Sequence, residues 1–477
     1  MAKEKNTFYI TTPIFYPNAE LHMGGAYTTT LCDILARYNR AQGKEVYFLT
    51  GADENTEKVV RAAESAGEET GAYLNSIVAK FKDLFGLLNI EYDQFIRTSD
   101  KENHWPGAKL VWRQLEEAGD IYKSSYNGLY CVGHEAFMTE KDLVDGKCPD
   151  HNEEPQVIEE ENYFFRLSKY TEVLKEKIES DELVILPSER KNEILSLLND
   201  GLEDISFSRP KDKVTLGIPV PNDPEQVMYV WCDALTNYIS ALGYGRESQL
   251  FDKFWPANVH VIGKDILRFH AAIWPAMLLS AGLPLPKTIL VHGMITSGGK
   301  KMSKTLGNVI DPTNLIDTHG GEAVRYFLAR HISTFNDGDI TTERFHDAYT
   351  ADLVNGIGNL TNRILKMSET HLTSGVVLDD VVYPEEYDSA FRENNVQKAT
   401  EYVWKQIGDL DQKIQDTEPF KLVKEDVEKA KTLIEELVQE LNVIAILLVP
   451  ILPETSEKII AAIKENKKPE EPLFPRK

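Results

Sequence analysis

Four residues at two identical spacings could do chemistry together: Cys131 and His134 in CVGH, and Cys148 and His151 in CPDH. Two C-x2-H pairs separated by a loop supply four soft or borderline donors, a set suited to tetrahedral Zn2+. Four protein donors leave no open coordination position, so such a metal would be structural. The same segment can also fold as a knuckle without metal. The remaining cysteines, Cys32 and Cys232, lie within apolar patterns and read as core. Four scattered cysteines in 477 residues do not make a disulfide framework.

A second constellation is HMGG, His22 to Gly25, directly after a Pro-Asn turn and at the start of an amphipathic run. A helix N-terminus offers unpaired N–H groups and a positive dipole end, both of which favour anions. Gly24 and Gly25 carry no Cβ, so a base or phosphate can approach the backbone closely. His22 could donate to phosphate oxygens. A third is KMSKT, Lys301 to Thr305, behind Gly298 and Gly299. Two lysines on glycine hinges make a mobile cationic loop, suited to charge that develops on transferring phosphates. Taken singly, HMGG is also a plain glycine-rich helix start, and KMSKT a plain exposed basic loop. Neither GxxxxGK[ST] nor GxGxxG occurs.

The elements that must position these residues follow from patterning. TFYITTPIFY (7–16) reads as a buried strand, 26–43 as an amphipathic helix closed by Gly43, and EVYFLTGAD (45–53) as a second strand. Strand, helix, strand is a right-handed crossover of a parallel sheet. VHVIGKD (259–265) and TILVHG (288–293) repeat the design, apolar and then abruptly polar. Ligands of open α/β sheets bind beyond the carboxyl ends of the strands. Those ends carry His22, Asp53, Asp265 and the Lys301/Lys304 loop, which points to one nucleotide-sized site. Between about 118 and 225 the alternation gives way to short β-like pieces, turns and the acidic run HNEEPQVIEEE, as an insertion would. After about 350, runs such as ADLVNGIGNLTNRILKM have helical spacing and predict a bundle.

Composition narrows the function classes. With 42% hydrophobic and 27% charged residues the chain is an ordinary globular sequence, and no apolar run reaches the length of a membrane span. VIAILLVPIL (443–452) is broken by Pro450 and reads as the end of a buried helix. The N-terminus MAKEKNTFYI lacks the apolar core of a secretion signal, so a cytoplasmic location is expected. A net charge of −24 argues against a general nucleic-acid binder, though a local basic face is compatible with it.

In their order and separation, HMGG and KMSKT resemble the two signatures that bracket the ATP site of class I aminoacyl-tRNA synthetases. ITTPIFYPNAELHMGG, FLTGADE, YFFRLSKY, YVWCDALTNYISAL, VIGKDILRFHAAIWPAML and KKMSKTLGNVIDP are similar to the methionyl-tRNA synthetase family in particular, from Thr7 to about Val449. The resemblance implies an α/β fold: a class I Rossmann-type parallel sheet, split by a zinc-knuckle connective insertion and followed by a C-terminal all-α helical bundle. The implied organisation is a first catalytic half (1–117), the insertion (118–225), a second catalytic half (226–295), the lysine loop and stem-contact region (296–350), and an anticodon-binding domain (351–477).

The resemblance also assigns residues. Ile14, Tyr16, Trp231, Ala234, Leu235, Tyr238, Ile266 and His270 would line a methionine pocket, with Asp53 on the α-amino group. An uncharged thioether suits a polarizable, aromatic-rich pocket, and an ammonium suits a carboxylate. ATP with Mg2+ would be held by His22, Gly24, Gly25, Gly263, Asp265, Lys301, Lys304 and Arg209, with His22, Lys301 and Lys304 catalytic. Asn359 and Arg363, at i and i+4, would read the CAU anticodon of tRNA(Met), with Phe420 standing where the family stacks a tryptophan. The chain departs from the family at Gly25, usually a second histidine, and at Asn55-Thr56, where DEHG reads DENT. His134 replaces a cysteine common in the knuckle. Two other readings remain at this stage: a class I synthetase for another apolar amino acid, and an impaired paralogue that only binds tRNA. The insertion of about a hundred residues is smaller than the editing insertions of the first. The intact KMSKT, GKD and pocket residues speak against the second. A chain ending soon after the bundle is expected to be a monomer without a membrane partner.

Overall fold

The computed structural model describes residues 6–131, 136–138, 140, 143–149, 152–212, 216–302 and 307–477. The chain forms two compact units. The first comprises residues up to Glu20, Tyr47–Phe81 and Tyr92–Val291; the second comprises Leu21–Val46, Lys82–Glu91 and His292–Lys477.

The strands, in chain order, are β1 (Thr7–Thr11), β2 (Glu45–Ala52), β3 (Gln94–Arg97), β4 (Ile121–Cys131), β5 (Ala136–Met138), β6 (Gln156–Phe165), β7 (Val184–Leu186), β8 (Ile205–Ser206), β9 (Ser208–Pro210), β10 (Pro219–Val220), β11 (Asp223–Met228), β12 (Val259–Gly263), β13 (Thr288–His292), β14 (Ile295–Ser297), β15 (Lys300–Lys301) and β16 (Gly338–Asp339).

The first unit is built on a six-stranded sheet of order β3-β2-β1-β12-β13-β7. β1 pairs with β12, β2 with β3, and β13 with β7, all in parallel. TFYIT, VHVIG and TILVH are buried along nearly their whole length, so both faces of these strands are covered, as parallel sheets require. The chain runs outward from β1 to β3 on one side and from β12 outward on the other. The order therefore reverses between β1 and β12, the kind of switch point where α/β sheets bind ligands. β1 ends at Thr11 and not at Tyr16, because Pro13 has no N–H to give the ladder. The chain rejoins the sheet edgewise where Phe15 N–H donates to Gly51 O at 3.0 Å.

The segment between the two halves of this sheet is mostly antiparallel, with sheets of order β5-β4-β6-β8 and β10-β11-β9. One piece of it is not separate: β7 completes the parallel sheet, with Val184 opposite Thr288 and Leu186 opposite Leu290. The core of the unit is aromatic, with Tyr9, Trp112, Tyr238 and Trp274 fully buried.

The second unit begins with helix α1 (Met23–Ala41), three residues earlier than the apolar pattern indicated, because His22 caps it. A small sheet of order β15-β14-β16 follows, then the helices Asn359–His371, Val396–Thr417, Val427–Leu448 and Pro453–Glu465. Their buried positions follow the 3.6-residue period, for example Ile434, Leu437, Val438, Leu441 and Leu448. Helix Val427–Leu448 stops just before Pro450, as the sequence implied. At this corner the fully buried Arg325 donates to Ile451 O, Pro450 O and Leu88 O, each at 3.0 Å. Its Nη1 also lies 2.7 Å from the equally buried Asp33 of α1. Among the described residues, no helix is long and apolar enough to cross a membrane.

Candidate active site

In the first unit, β2 ends so that Asp53 follows it directly, 2% exposed, with its N–H given to Phe15 O. The aromatic residues assigned to the amino-acid pocket come together in the same unit. Ile14, Tyr16, Trp231, Ile266 and Phe269 pack on one buried cluster that includes Leu235 and Tyr238. Trp231 stacks flat on Phe269 at 3.8 Å between centroids and meets His270 edge-on. Phe269 was not singled out from sequence. It opens a π-helical stretch, Phe269–Ile273, in which adjacent residues 269 and 270 both meet the same indole.

His270 is held in one tautomer. Its Nδ1 lies 3.0 Å from Ile266 O, which can only accept, so Nδ1 carries the proton. Nε2 then accepts the Tyr238 hydroxyl at 2.7 Å. Burial lowers the imidazole pKa to about 4, against a smaller opposing effect of the Ile266 carbonyl. His260, whose ring lies 4.2 Å from that of Tyr238 and tilted by 34°, is also pushed down by burial and by His270. At neutral pH this wall is polar and uncharged.

Asn55 and Thr56, the departures at DENT, both have work in the fold. The Thr56 hydroxyl caps helix α2 (Glu57–Ala66) by accepting from Lys58 N–H. The buried Asn55 amide donates to Asp233 Oδ2 at 2.7 Å and to Thr98 O at 3.0 Å. Asp233 Oδ1 lies 2.6 Å from His104 Nε2, and His104 Nδ1 lies 2.7 Å from Ser240 Oγ. That Ser–His–Asp connectivity is the one hydrolases use, but here all three groups are buried and join the His104 loop to the helices that carry Asp233 and Ser240. Thr98 Oγ1 accepts Glu54 N–H at 2.8 Å and sits 3.5 Å from Asp53 Oδ1. Glu54 is itself paired with Arg97 at 2.6 Å and hydrogen-bonded by Ser99. Residues 54, 98, 104 and 233 gave no signal in the sequence. Their partners lie 43 to 178 positions apart, and polar residues inside apolar patterns were the only available hint.

Gly263 closes β12, and Asp265 follows it, exposed. Arg209 on β9 is 7% exposed, with Nη1 donating to Ser206 Oγ and Ser208 O and the guanidinium 4.8 Å from the Tyr229 ring. One arm of its fork is committed to the protein. Cys131, the last residue of β4, and Cys148 are both buried, while His134 and His151 lie outside the described residues. Cys148 sits in a tight turn, with its N–H on Glu153 O and its carbonyl accepting from Asn152 N–H.

In the second unit, His22 is exposed at the N-terminus of α1, and its Nδ1 accepts Gly24 N–H at 3.0 Å. Nε2–H is therefore the donor of the neutral ring. A Cβ at Gly24 would lie 2.7 Å from His22 Cε1, so glycine lets the ring fold over the helix start. At Gly25 it would lie 2.5 Å from Leu21 Cδ2, so the second histidine usual in the family would have to displace Leu21. Thr28, one turn into α1, lies 2.8 Å from His292 Nε2.

Gly298 and Gly299 have φ of 61° and 71° and form a two-residue hairpin turn between Ser297 and Lys300, which pair across it. Asp339 fixes the turn by accepting from Gly299 N–H and from the Thr296 hydroxyl. Lys301 is exposed on β15; Lys304 lies outside the described residues. On helix Asn359–His371, Asn359 is exposed and Arg363 is paired with Asp411 of helix Val396–Thr417. Phe420 is 48% exposed, a large aromatic presented to solvent.

Known proteins match this chain over nearly its whole length. The family model "tRNA synthetases class I (M)" matches residues 8–156 and 151–365. A methionine–tRNA ligase from Clostridium acetobutylicum is 43% identical over 473 residues, covering 96% of this chain and 73% of the relative. One from Thermotoga maritima is 41% identical, covering 97% and 76%. A structure of Mycobacterium tuberculosis methionyl-tRNA synthetase in complex with methionyl-adenylate superposes with a TM-score of 0.90 at 36% identity, over 98% of this chain and 100% of the other. By matches of this length and identity, the chain belongs to the methionine–tRNA ligases, within the class I aminoacyl-tRNA synthetases.

Proposed function

We propose that the protein joins L-methionine to tRNA(Met) in two steps, through a methionyl-adenylate, consuming ATP and releasing pyrophosphate and AMP. The observation that carries the choice of amino acid is the neutral wall of the pocket. Tyr238 and His270 are hydrogen-bonded to each other and uncharged, and Trp231 stands beside them stacked on Phe269. A thioether is polarizable and weakly accepting, so it gains from aromatic contact and would only pay desolvation against a charged histidine. Asp53 takes the ammonium. The carboxylate of methionine attacks the α-phosphate, and pyrophosphate leaves.

His22 Nε2–H, the N–H groups at the start of α1, and Lys301 with Lys304 stabilise the phosphate charge, while Asp265 binds the ribose and Mg2+ accompanies the nucleotide. Arg209 and Gly263 complete the nucleotide contacts. No protein nucleophile is needed, and catalysis is positioning and electrostatics. The 3′-terminal adenosine of tRNA then accepts the methionyl group. Asn359 and Arg363 hydrogen-bond anticodon bases and Phe420 stacks on one; Arg363 exchanges Asp411 for the base.

Cys131, His134, Cys148 and His151 hold structural Zn2+ in this reading. The donor set suits the metal, and both thiols are buried, that of Cys148 within a tight turn. The ion would pin the β4–β5 hairpin to the Cys148 turn. About one equivalent of zinc in the purified protein, with loss of melting temperature on chelation, is the expected result; no metal in folded protein would overturn it. A monomer is expected, and a solution mass near twice 54.0 kDa would contradict it.

The test of the function is amino-acid-dependent ATP–pyrophosphate exchange with a panel of twenty amino acids. Exchange with methionine alone is expected. Exchange with leucine or isoleucine in its place would sink the pocket assignment.

A further inference from the structure

The Asn55–Asp233 hydrogen bond joins two elements that the proposed reaction needs at a fixed spacing. Asn55 lies two residues beyond Asp53 on the loop after β2. Asp233 lies in the short helix Val230–Leu235, which also carries Trp231, Ala234 and Leu235. Both hydrogens of the Asn55 amide are committed, one to Asp233 Oδ2 and one to Thr98 O. Asp233 in turn is braced on its other oxygen by His104, and His104 by Ser240, the last residue of the helix that carries Tyr238. The chain of contacts therefore runs from the carboxylate side of the pocket to both helices of its aromatic side.

We propose that Asn55, Asp233 and His104 are positioning residues that set the distance between the ammonium site and the thioether site, and so the length of amino acid the pocket accepts. The inference rests on reading Asp53 and helix Val230–Leu235 as methionine-binding. Apolar packing alone tolerates sliding, whereas a buried 2.7 Å hydrogen bond to a carboxylate does not. A misplacement of about 1 Å can cost on the order of a hundredfold in rate. The three side chains act through their neighbours: Asn55 on Asp233 and Thr98, Asp233 on His104, and His104 on Ser240. The departure from histidine at 55 keeps a neutral donor aimed at Asp233.

The test is pyrophosphate exchange by the full-length protein with methionine and with ethionine, one methylene longer, for Asn55→Ala, His104→Asn and Asn55→His. Asn55→Ala should raise the KM for methionine at least about tenfold, leave the KM for ATP within about twofold, and reduce discrimination against ethionine at least about fivefold. His104→Asn should move the same quantities less. Asn55→His retains a donor and should recover most of the methionine KM. If Asn55→Ala does not fold, His104→Asn carries the test on the same readouts. Unchanged methionine KM and discrimination in a folded variant would overturn the proposal. So would equal losses for methionine and ATP, which mark a general loss of structure. Absence of methionine-dependent exchange in the unaltered protein would instead refute the functional reading itself.

Discussion

The two units present their functional side chains in opposite ways. In the first, Asp53, Tyr238, His270 and the Asn55–Asp233–His104 chain are buried, with Tyr238 hydrogen-bonded to His270 and Asp233 to both Asn55 and His104. In the second, His22, Lys301, Asn359 and Phe420 are exposed, on a helix N-terminus, a hairpin and helix surfaces. The difference follows from what each must recognise. A small amino acid differs from its competitors by a methylene or a sulfur, and only a rigid, desolvated cavity converts that into discrimination. Phosphates and bases are large, charged or stacking groups, which reward long-range charge and open surfaces.

Replacing the buried carboxylate that faces the ammonium should do most damage. Asp53→Ala removes a buried partner of a charge and should lower kcat/KM for methionine in pyrophosphate exchange by about a thousandfold, since such losses cost on the order of 3–5 kcal/mol. A loss under tenfold would mean that the ammonium is held elsewhere. On the exposed side, His22→Ala deletes a phosphate donor and should cost about a hundredfold in kcat, the lower range for a single oxyanion-type donor. Gly24→Ala, by pushing the His22 ring aside, should mimic it in part; a Gly24→Ala enzyme at full rate would show that the ring position is immaterial.

The contrast also has a pH signature. His270 stays neutral when folded, with a pKa of about 4, and regains its ordinary 6.5 when unfolded. The unfolded chain therefore binds the extra proton between those values. Stability contributed by the neutral pocket is complete above about pH 6.5 and is lost as pH falls to about 4, by on the order of 3 kcal/mol. Urea midpoints over that window should fall with pH less steeply in His270→Gln. Equal slopes would mean that the imidazole is not desolvated.

The smallest effect is on the open surface. Phe420→Ala should raise the KM for tRNA by about five- to fiftyfold, one stacked base, and disturb pyrophosphate exchange far less. An unchanged tRNA KM would remove Phe420 from the interface.

Much of this contrast was legible before the fold. Strand ends announce themselves by abrupt polarity, so Asp53 and Asp265 could be placed beyond β2 and β12. His22 and two glycines after Pro-Asn marked a helix start, although the cap set the boundary three residues earlier than the apolar period did. What was hidden depends on contacts remote in sequence. Nothing local says that Val184–Leu186 pairs with Thr288–Leu290 and extends the parallel sheet. Asn55 looked like a departure near the active site, and its bond to Asp233, 178 residues on, gives it a reason. The π-helical turn that brings Phe269 to Trp231 depends on tertiary packing and leaves no trace in spacing. Lys304, His134 and His151 lie outside the described residues.

Arg325 limits how the second unit can be divided. Its side chain closes a loop of more than four hundred residues, from Asp33 on α1 to the carbonyls of Pro450 and Ile451. A chain cut before Pro450 would leave the buried Arg325 guanidinium with two of its four partners gone, at a cost of about 3–6 kcal/mol for two charge-assisted hydrogen bonds, a large part of a domain's stability. The helices that end the chain are therefore no detachable module. The helix that His22 caps inherits its stability from the far end of the sequence, so transplanting either into another scaffold would require taking both.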